Sequence, residues 1–583
     1  MIDDGEIQLK TVNDLRYGKS PKLDAWLLHF MTENNLEYLT DPQKNASPEQ
    51  LRFMVAIEDG QVYAPCSDRR IPVLLDNDLG PELKREYDQK WISLVELAHA
   101  YVSDQQDRER ILELCRYKYN LVQSSPIIIP SRLMKRFLTI LLTQGALSDP
   151  YKERKKRFNA RAAETLKSGA VDEFLNVCPA GHSPCERISD LRFELDMLEL
   201  ERMLIVSTAS SLWLDEEHAV KEASLKDHLA AAGVSETLRH VFAERQGQSL
   251  KILFLPDTAG GLIYDLLIIR ALIRQGHSVV LALKEGFHFA SPVFWDWEDD
   301  PALSEMFKGA HFLDVESISK NELVTAQSQN SLIVISDGTR EELNLYRTSV
   351  TFARAWKESD LIIAKGEPHH RRLIATSHTF TRDVLCFHRG EDGRFRLDYK
   401  PRASWVRKFR DKDLKRKADE IIAEMRKAKA RGENVMFYSA IIGSLPGQTR
   451  IAIRTVDAFV KYLRERLEKI HVINPAEHFE EGMDADDLMY MWERVQRSGM
   501  IDVWRFQTVA DIEKSFELMD SKVPPMWAGK DATFSTGCTK EMRIALDMQK
   551  KNPEMQIIGP DPMRFFRRQE YGVGKFFDAA IGG

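Results

Sequence analysis

The stretch LKILFLPDTAGGLIYDLLIIRALIRQGHSVVLALKEG, Leu250 to Gly286, decides the fold. It opens with a short apolar run, passes through a polar and glycine turn at Asp257 to Gly261, and continues as an amphipathic helix from about Leu262. A second apolar run, HSVVLALKEG, follows from His277 to Gly286. Two more have the same form: SLIVISDGT (Ser331 to Thr339) and DLIIAKGEP (Asp360 to Pro368). Apolar runs that end in polar or glycine turns and are separated by helical segments predict an α/β fold with a doubly wound, Rossmann-like parallel sheet. In such sheets ligands bind outside the carboxyl ends of the strands, so the residues just past each run carry the functional information.

Working outward, the region up to about Phe242 shows helical spacing, as in WISLVELAHAYVSDQQDRERILELCRYKYNLV (Trp91 to Val122). SSPIIIPSR, Ser124 to Arg132, interrupts it: a β-branched run bracketed by Pro126 and Pro130 cannot continue a helix and reads as an extended connector. On the far side, VRKFRDKDLKRKADEIIAEMRKAKARGEN is basic and helix-favouring, with acidic residues interspersed, and reads as a solvated linker helix over 401–432. Strand and helix then alternate again: ENVMFYS, a helix from Thr449 to about Leu467, KIHVINP, a helical stretch with Trp492, and IDVWRF. DATF is expected as a further strand leading into a helix, and EMQIIGPDP ends the series. Residues 433–583 are therefore expected to form a second, C-terminal α/β domain.

The 583 residues exceed one domain, and a hydrophobic fraction of 43% with 29% charged residues describes a globular chain. With 82 Lys and Arg against 89 Asp and Glu, the net charge of −7 supplies no global field for nucleic acid or anionic membrane, so neither is expected as a partner. No run reaches the roughly 18 apolar residues of a membrane span, and the acidic start MIDDGE is unlike a secretory signal; a cytoplasmic location is expected. The 6 cysteines are expected as reduced, buried thiols. In CPAGHSPC, Cys178, His182 and Cys185 offer three soft ligands, but no fourth follows nearby, and the segment reads as a loop between helices.

At the ends of the four runs stand Asp257 and Thr258; Lys284 and Glu285; Asp337, Gly338 and Thr339; and Lys365, Gly366 and Glu367. Carboxylates there hold a hard divalent cation through oxygen, lysines neutralise phosphate, and glycines with a helix N-terminus let backbone N–H groups approach the same anion. The set suits phosphoryl chemistry. Turn and capping requirements alone also collect these residue types at strand ends.

The stretch from Leu250 to Gly286, followed by SDLIIAKGEPHHRRL (Ser359 to Leu373), resembles the damage-control phosphatase family, also described as the acidic-residue methyltransferase-like metal-binding domain. The family pattern is an apolar strand, then Asp-Asn-Ala-Gly-Glu, an Asp further along the same helix, and much later a strand ending in Lys-Gly with an Asn three residues beyond. Similarity extends upstream to SSPIIIPSRL and to DPYKERKKRFNARA (Asp149 to Ala162), so that it covers about Arg110 to Tyr399. The resemblance implies a helical subdomain (109–245) before a Rossmann-like metal- and phosphate-binding domain (246–400), preceded by a helical extension (1–108). It further implies a divalent metal (Mn, Co, Ni or Mg) and hydrolysis of a small phosphorylated metabolite; carboxyl methyl transfer has also been proposed within the family.

Matched residue by residue, Asp257 takes the place of the first metal-binding Asp, and Ala259 and Gly260 form the turn. Asp265 is the helix Asp, Gly338 the glycine after the SLIVIS strand, and Lys365 with Gly366 the phosphate-side Lys-Gly. Thr258 stands for the metal-binding Asn, Gly261 for Glu, Pro292 for a further metal-binding Asp, and His369 for the Asn after Lys-Gly. Replacement ligands would have to come from His288, Asp296, Glu367, His369 or His370, and imidazole moves preference toward zinc, nickel or cobalt. On this reading Asp257 anchors the cation and Lys365 binds phosphate, both as catalytic residues, while Thr258, Asp265, Gly338, Thr339, Gly366 and His369 contact substrate or water.

Two other readings stay open. One is a binding or regulatory protein that has lost its metal on an inherited fold. The other puts the chemistry in the C-terminal domain or the interdomain cleft. There STGCTKE (Ser535 to Glu541) and GSLPGQT (Gly443 to Thr449) offer anion-binding turns that lack P-loop spacing, and Cys538 sits at a helix start.

Overall fold

The four apolar runs form β1 (Lys251–Leu255), β2 (Ser278–Leu283), β4 (Leu332–Ser336) and β5 (Leu361–Lys365) in the computed structural model. Three shorter or more polar strands complete the sheet: β3 (His311–Leu313), β6 (Asp383–Arg389) and β7 (Phe395–Lys400). The order is β3-β4-β2-β1-β5-β6-β7, parallel throughout except for β7, which pairs antiparallel with β6. Residues 9–36, 51–58, 60–75, 79–169, 171, 188–214, 225, 229, 233–243, 245, 247–445, 448–480 and 482–567 are described; Cys178, His182 and Cys185 lie outside them. The chain divides into two compact units, Met1–Ala403 and Ser404–Gly583.

Both faces of the first sheet are covered, which is why its central strands read as unbroken apolar runs. On β1, Ile252 and Phe254 pack with the helix Gly261–Arg274, while Leu253 and Leu255 face Phe352 and Trp356 of the helix Val350–Glu358. The helix Gly261–Arg274 is buried nearly all round, with Met197, Leu200 and Leu204 of the helix Ile188–Ser207 and Phe158 of the helix Lys152–Lys167 in the same apolar cluster. Its apolar periphery follows from that position between sheet and outer helices.

The boundary expected at 108/109 has no counterpart in the packing. Leu23 and Leu27, then Leu83, Leu94 and Leu97 of the helix Pro81–Tyr101, and Leu133 and Phe137 of the helix Pro130–Gln144 all belong to one cluster. Leu51, Met54 and Val55 go further and join the core on the other face of the sheet. SSPIIIPSR is a tight turn between helices, and Pro130 opens the second one, where its missing N–H costs nothing. The buried Asn34 fixes this turn by donating to Ile127 O (2.9 Å) and accepting from Ile129 N (2.7 Å).

The second unit has β8 (Asn434–Ser439), β9 (Ile470–Ile473), β10 (Val503–Phe506) and β11 (Gln556–Ile558) in the order β11-β10-β8-β9, all parallel. Two expectations are corrected here. The segment read as a solvated linker holds the helix Asp411–Ala430, whose Leu414, Ala418, Ile421, Ile422 and Met425 are buried in this unit's core. DATF is not a strand but a 3-10 turn, Ala532–Phe534, because the Asp531 side chain accepts from Thr533 N (3.0 Å) and folds the backbone back. Cys538, expected at a helix start, is there but buried; burial, with Glu541 beside it, pushes its thiol well above the usual range, which removes it as a nucleophile. Among the described residues no helix is long and apolar enough to cross a membrane.

Candidate active site at the carboxyl ends of β1 and β5

β1 and β5 are neighbours, with Leu255 opposite Ala364, although the chain builds β2, β3 and β4 on one side of β1 before returning to place β5 on the other. Such a reversal is where doubly wound sheets bind ligands, outside the strands' carboxyl ends. Asp257 lies just past β1 and Lys365 ends β5.

Lys365 is 1% exposed, and its ammonium lies 3.2 Å from Asp257 Oδ1, 3.0 Å from Asp265 Oδ1 and 3.2 Å from Asp265 Oδ2. Asp265 projects from the first turns of the helix Gly261–Arg274, and the Trp213 ring covers the ammonium with its centroid 5.6 Å away. Asp257, 24% exposed, is the member of this triad that meets solvent. Its Oδ1 also accepts from Thr258 N (2.7 Å) and the Thr258 hydroxyl (3.2 Å).

Two glycines make this approach feasible. Gly366 has φ +99°, and a Cβ there would fall 2.8 Å from Asp257 Cβ. At Gly261 a Cβ would fall 2.6 Å from Lys365 Nζ, so the residue standing where the family has Glu leaves the space the ammonium fills. The loop after β1 is anchored by residues that the upstream similarity included without a role. Asn159 accepts from Gly260 N (2.5 Å) and donates to Asp300 (2.7 Å), which in turn caps the helix Pro301–Met306.

Burial pushes Asp265 up to about 7, with Lys365 pulling against it and Asp257 adding to it. Lys365 is opposed by burial, yet the two carboxylates hold it above its ordinary value. The triad is thus one lysine cation shared by two carboxylates, of which Asp265 is fully buried. Because its folded value exceeds the ordinary carboxyl value of 3.8, the folded chain binds more protons than the unfolded chain between about pH 4 and 7, and stability falls as pH rises through that window. Replacing Asp265 with Asn is expected to flatten this dependence by up to one proton's slope, about 1.4 kcal/mol per pH unit, in urea unfolding compared at pH 5 and pH 7.

The other sequence-derived residues are placed as follows. Lys284, at the end of β2, donates to Asp337 (2.6 Å) and the Thr339 hydroxyl (3.0 Å). Thr339 is 3% exposed and its hydroxyl is engaged in that network. Gly338 has φ +77° and packs its Cα against Ser349, a turn role.

His369 donates from Nδ1 to Lys365 O (2.7 Å), and burial lowers it to about 4, which leaves a neutral ring with Nε2 as an acceptor. His288 is pushed down to about 3, burial being the main cause. Asp296, a candidate replacement ligand, is taken by the buried Lys155, at 2.8 Å from both carboxylate oxygens. Pro292 contributes only its carbonyl, to Lys284 N (3.0 Å).

The oxygen ligands implied for a hard cation beside Asp257 are therefore incomplete: one carboxylate shared with Lys365 and one hydroxyl. Six or more oxygens, several supplied by the protein, are usual for such ions. The residues at this position do not fit a hard-cation centre. Trp213 and Asp300 carry no local motif, and Asn159, although inside the stretch Asp149 to Ala162, gives no sign in the sequence that it reaches Gly260 and Asp300, so all three escape a reading of the sequence.

No curated protein matches the sequence. Among solved structures, a DUF89 family protein from Pyrococcus horikoshii shares 18% identity, with a TM-score of 0.36 over 54% of this chain and 92% of that one. A family model described as the damage-control phosphatase ARMT1-like domain matches residues 83–431. That span exceeds half the chain and contains Asp257, Asp265, Lys365 and Gly366, and the protein belongs to the damage-control phosphatase ARMT1-like family.

Proposed function

We propose that the crevice between β1 and β5 binds and hydrolyses a small phosphorylated metabolite. Family membership supports a metal-dependent phosphatase-like role in general. The observation that carries the finer reading is the buried Lys365 ammonium at the strand end, paired with the partly exposed Asp257 carboxylate. A phosphoryl oxygen that replaces Asp257 Oδ1 on this ammonium exchanges one anion for another, so the buried charge stays balanced. Asp257, released from Lys365, is then placed to accept a proton from water as the water oxygen bonds to phosphorus and the ester P–O bond breaks, the leaving alkoxide taking its proton from solvent, with the Thr258 hydroxyl orienting the water or the phosphoryl group. Trp213 and Asp265 hold the ammonium in place while this exchange occurs.

The purified chain, supplied in turn with Co, Ni or Mn, is expected to release phosphate from p-nitrophenyl phosphate or a sugar phosphate. Asp257→Ala is expected to lower the rate by about 100-fold or more, the usual scale for loss of a general base. Release with none of these metals, or equal turnover by Asp257→Ala, overturns the reading.

The incomplete oxygen set beside Asp257 favours a second reading, a crevice that binds phosphate esters without turning them over. A rise in melting temperature with sugar phosphates, with no phosphate released, is the outcome that selects it.

A further inference from the structure

Beyond Lys365 the chain makes a tight turn at Gly366, continues as the single turn Glu367–His369, and widens into a π-type turn over His370–Ile374. Such local widening of a helix is frequent at functional sites. Here it brings His370 over β6, where its ring centroid lies 4.2 Å from that of His388. Glu367 Oε2 is 3.3 Å from His388 Nδ1 and 3.9 Å from His370 Nδ1. On the far side of the His370 ring, Nε2 is 3.6 Å from Asp398 Oδ2 on β7.

These groups are brought together without satisfying one another. His370 Nδ1, both ring nitrogens of His388 and Asp398 Oδ2 are buried and make no hydrogen bond, and the His388 side chain is 1% exposed. Buried polar atoms are ordinarily paired, so a converging set of unpaired ones calls for a partner. The two imidazole rings are tilted at 49° to each other, with the Glu367 carboxylate beside the Nδ1 atoms of both.

We propose that Glu367, His370 and His388 hold a divalent transition metal, with Asp398 orienting His370 through its other nitrogen. One ligand atom from each of the three lies within 4.8 Å of the others. Metal–ligand bonds of about 2.0–2.1 Å at a tetrahedral ion set its ligands about 3.3 Å apart. The Glu367–His388 separation meets that value, and the Glu367–His370 separation reaches it by a small side-chain rotation. A carboxylate on the outer nitrogen of a ligating histidine is the usual second partner of such a site. Two imidazole nitrogens and one carboxylate oxygen select zinc, cobalt or nickel over magnesium or calcium. With three protein ligands and Glu367 42% exposed, a fourth position opens toward solvent, as in sites that bind water or substrate.

None of its three ligands is a residue matched to the family's cation position. On β6, Phe387 shares the core beside Phe254 and the helix Gly261–Arg274, whereas Cys386 packs on the opposite face; His388, two residues on from Cys386, lies on that opposite face. Lys365 reaches Asp265 on the first face. The proposal does not depend on the substrate reading, because its test reads metal binding and not turnover.

The full chain, stripped with a chelator and titrated with cobalt(II), is expected to develop visible absorption saturating at one equivalent. Zinc is expected to displace the cobalt and to raise the melting temperature. Glu367→Gln and His370→Ala are each expected to weaken binding at least tenfold, and His388→Ala more, while Asp257→Asn binds as the wild type does. If the buried His388 substitution prevents folding, the two more exposed variants carry the test. Absence of both the cobalt spectrum and the zinc-induced shift overturns the proposal, as does loss of binding in Asp257→Asn with binding retained in Glu367→Gln and His370→Ala.

Discussion

Lys365→Met is expected to destabilise the first unit by about 3–5 kcal/mol, because it leaves Asp265 buried without its cation and faces it with Asp257. The ammonium contributes little net energy when the whole ion group is compared with an apolar filling of the same volume; the cost arises from removing one partner alone. The double variant Lys365→Met with Asp265→Leu is therefore expected to recover most of the lost stability. It leaves Asp257, which is partly exposed, able to find water. Urea unfolding of the wild type, the single and the double variant measures this directly, and the proposed binding role separates from it cleanly. The double variant is expected to fold yet give no thermal shift with a sugar phosphate, since no ammonium remains at the strand end. A double variant that stays as unstable as the single one would show that the lysine holds the fold through other contacts, and one that still binds phosphate would remove Lys365 from the site.

What the sequence reveals of this architecture follows from where partners lie along the chain. β1, β2, β4 and β5 are legible because both faces of a central parallel strand are buried, which leaves unbroken apolar runs. β3 is three partly exposed or exposed residues, too short to stand out. β6 carries Asp383, His388 and Arg389, whose polarity makes sense only with distant partners: Arg245 and the Arg402 N–H for Asp383, and the Glu367 and His370 cluster for His388.

The helix Asp411–Ala430 misled for a related reason, since its many Lys and Arg side chains conceal a continuous apolar stripe from Leu414 to Ala428. At the crevice, Asp257, Asp265 and Lys365 are recognisable from motif spacing, and the structure brings them together. Asp296 looked available as a ligand because Lys155, which takes both its oxygens, lies 141 residues earlier. Motif reading names residue types near a strand end; it does not say which of their atoms are already engaged.

Gly366→Ala tests how closely β5 must pass Asp257, and two costs are expected to combine there. Gly366 combines φ +99° with ψ 154°, a region that side chains with a Cβ scarcely enter, and confinement there costs about 1–3 kcal/mol. The new methyl would also lie 2.8 Å from Asp257 Cβ and 2.9 Å from its Oδ2, so either Asp257 or the strand end has to move. Neither side gives easily, because Asp257 is held by Thr258 N and by Lys365, while Gly366 N donates to Phe387 O (2.9 Å) in the β6 register.

Gly276→Ala supplies the comparison: it too has a left-handed φ, +89°, but a Cβ there meets nothing within 4 Å. Its expected cost is about 1–2 kcal/mol of backbone strain alone. Gly366→Ala is expected to exceed it by a further 1–3 kcal/mol, roughly the penalty of overpacking. Displacing Asp257 should also abolish phosphate release, which Gly276→Ala leaves intact. Equal stability losses in the two variants would mean that Asp257 and the end of β5 are not in the close contact on which the crevice depends.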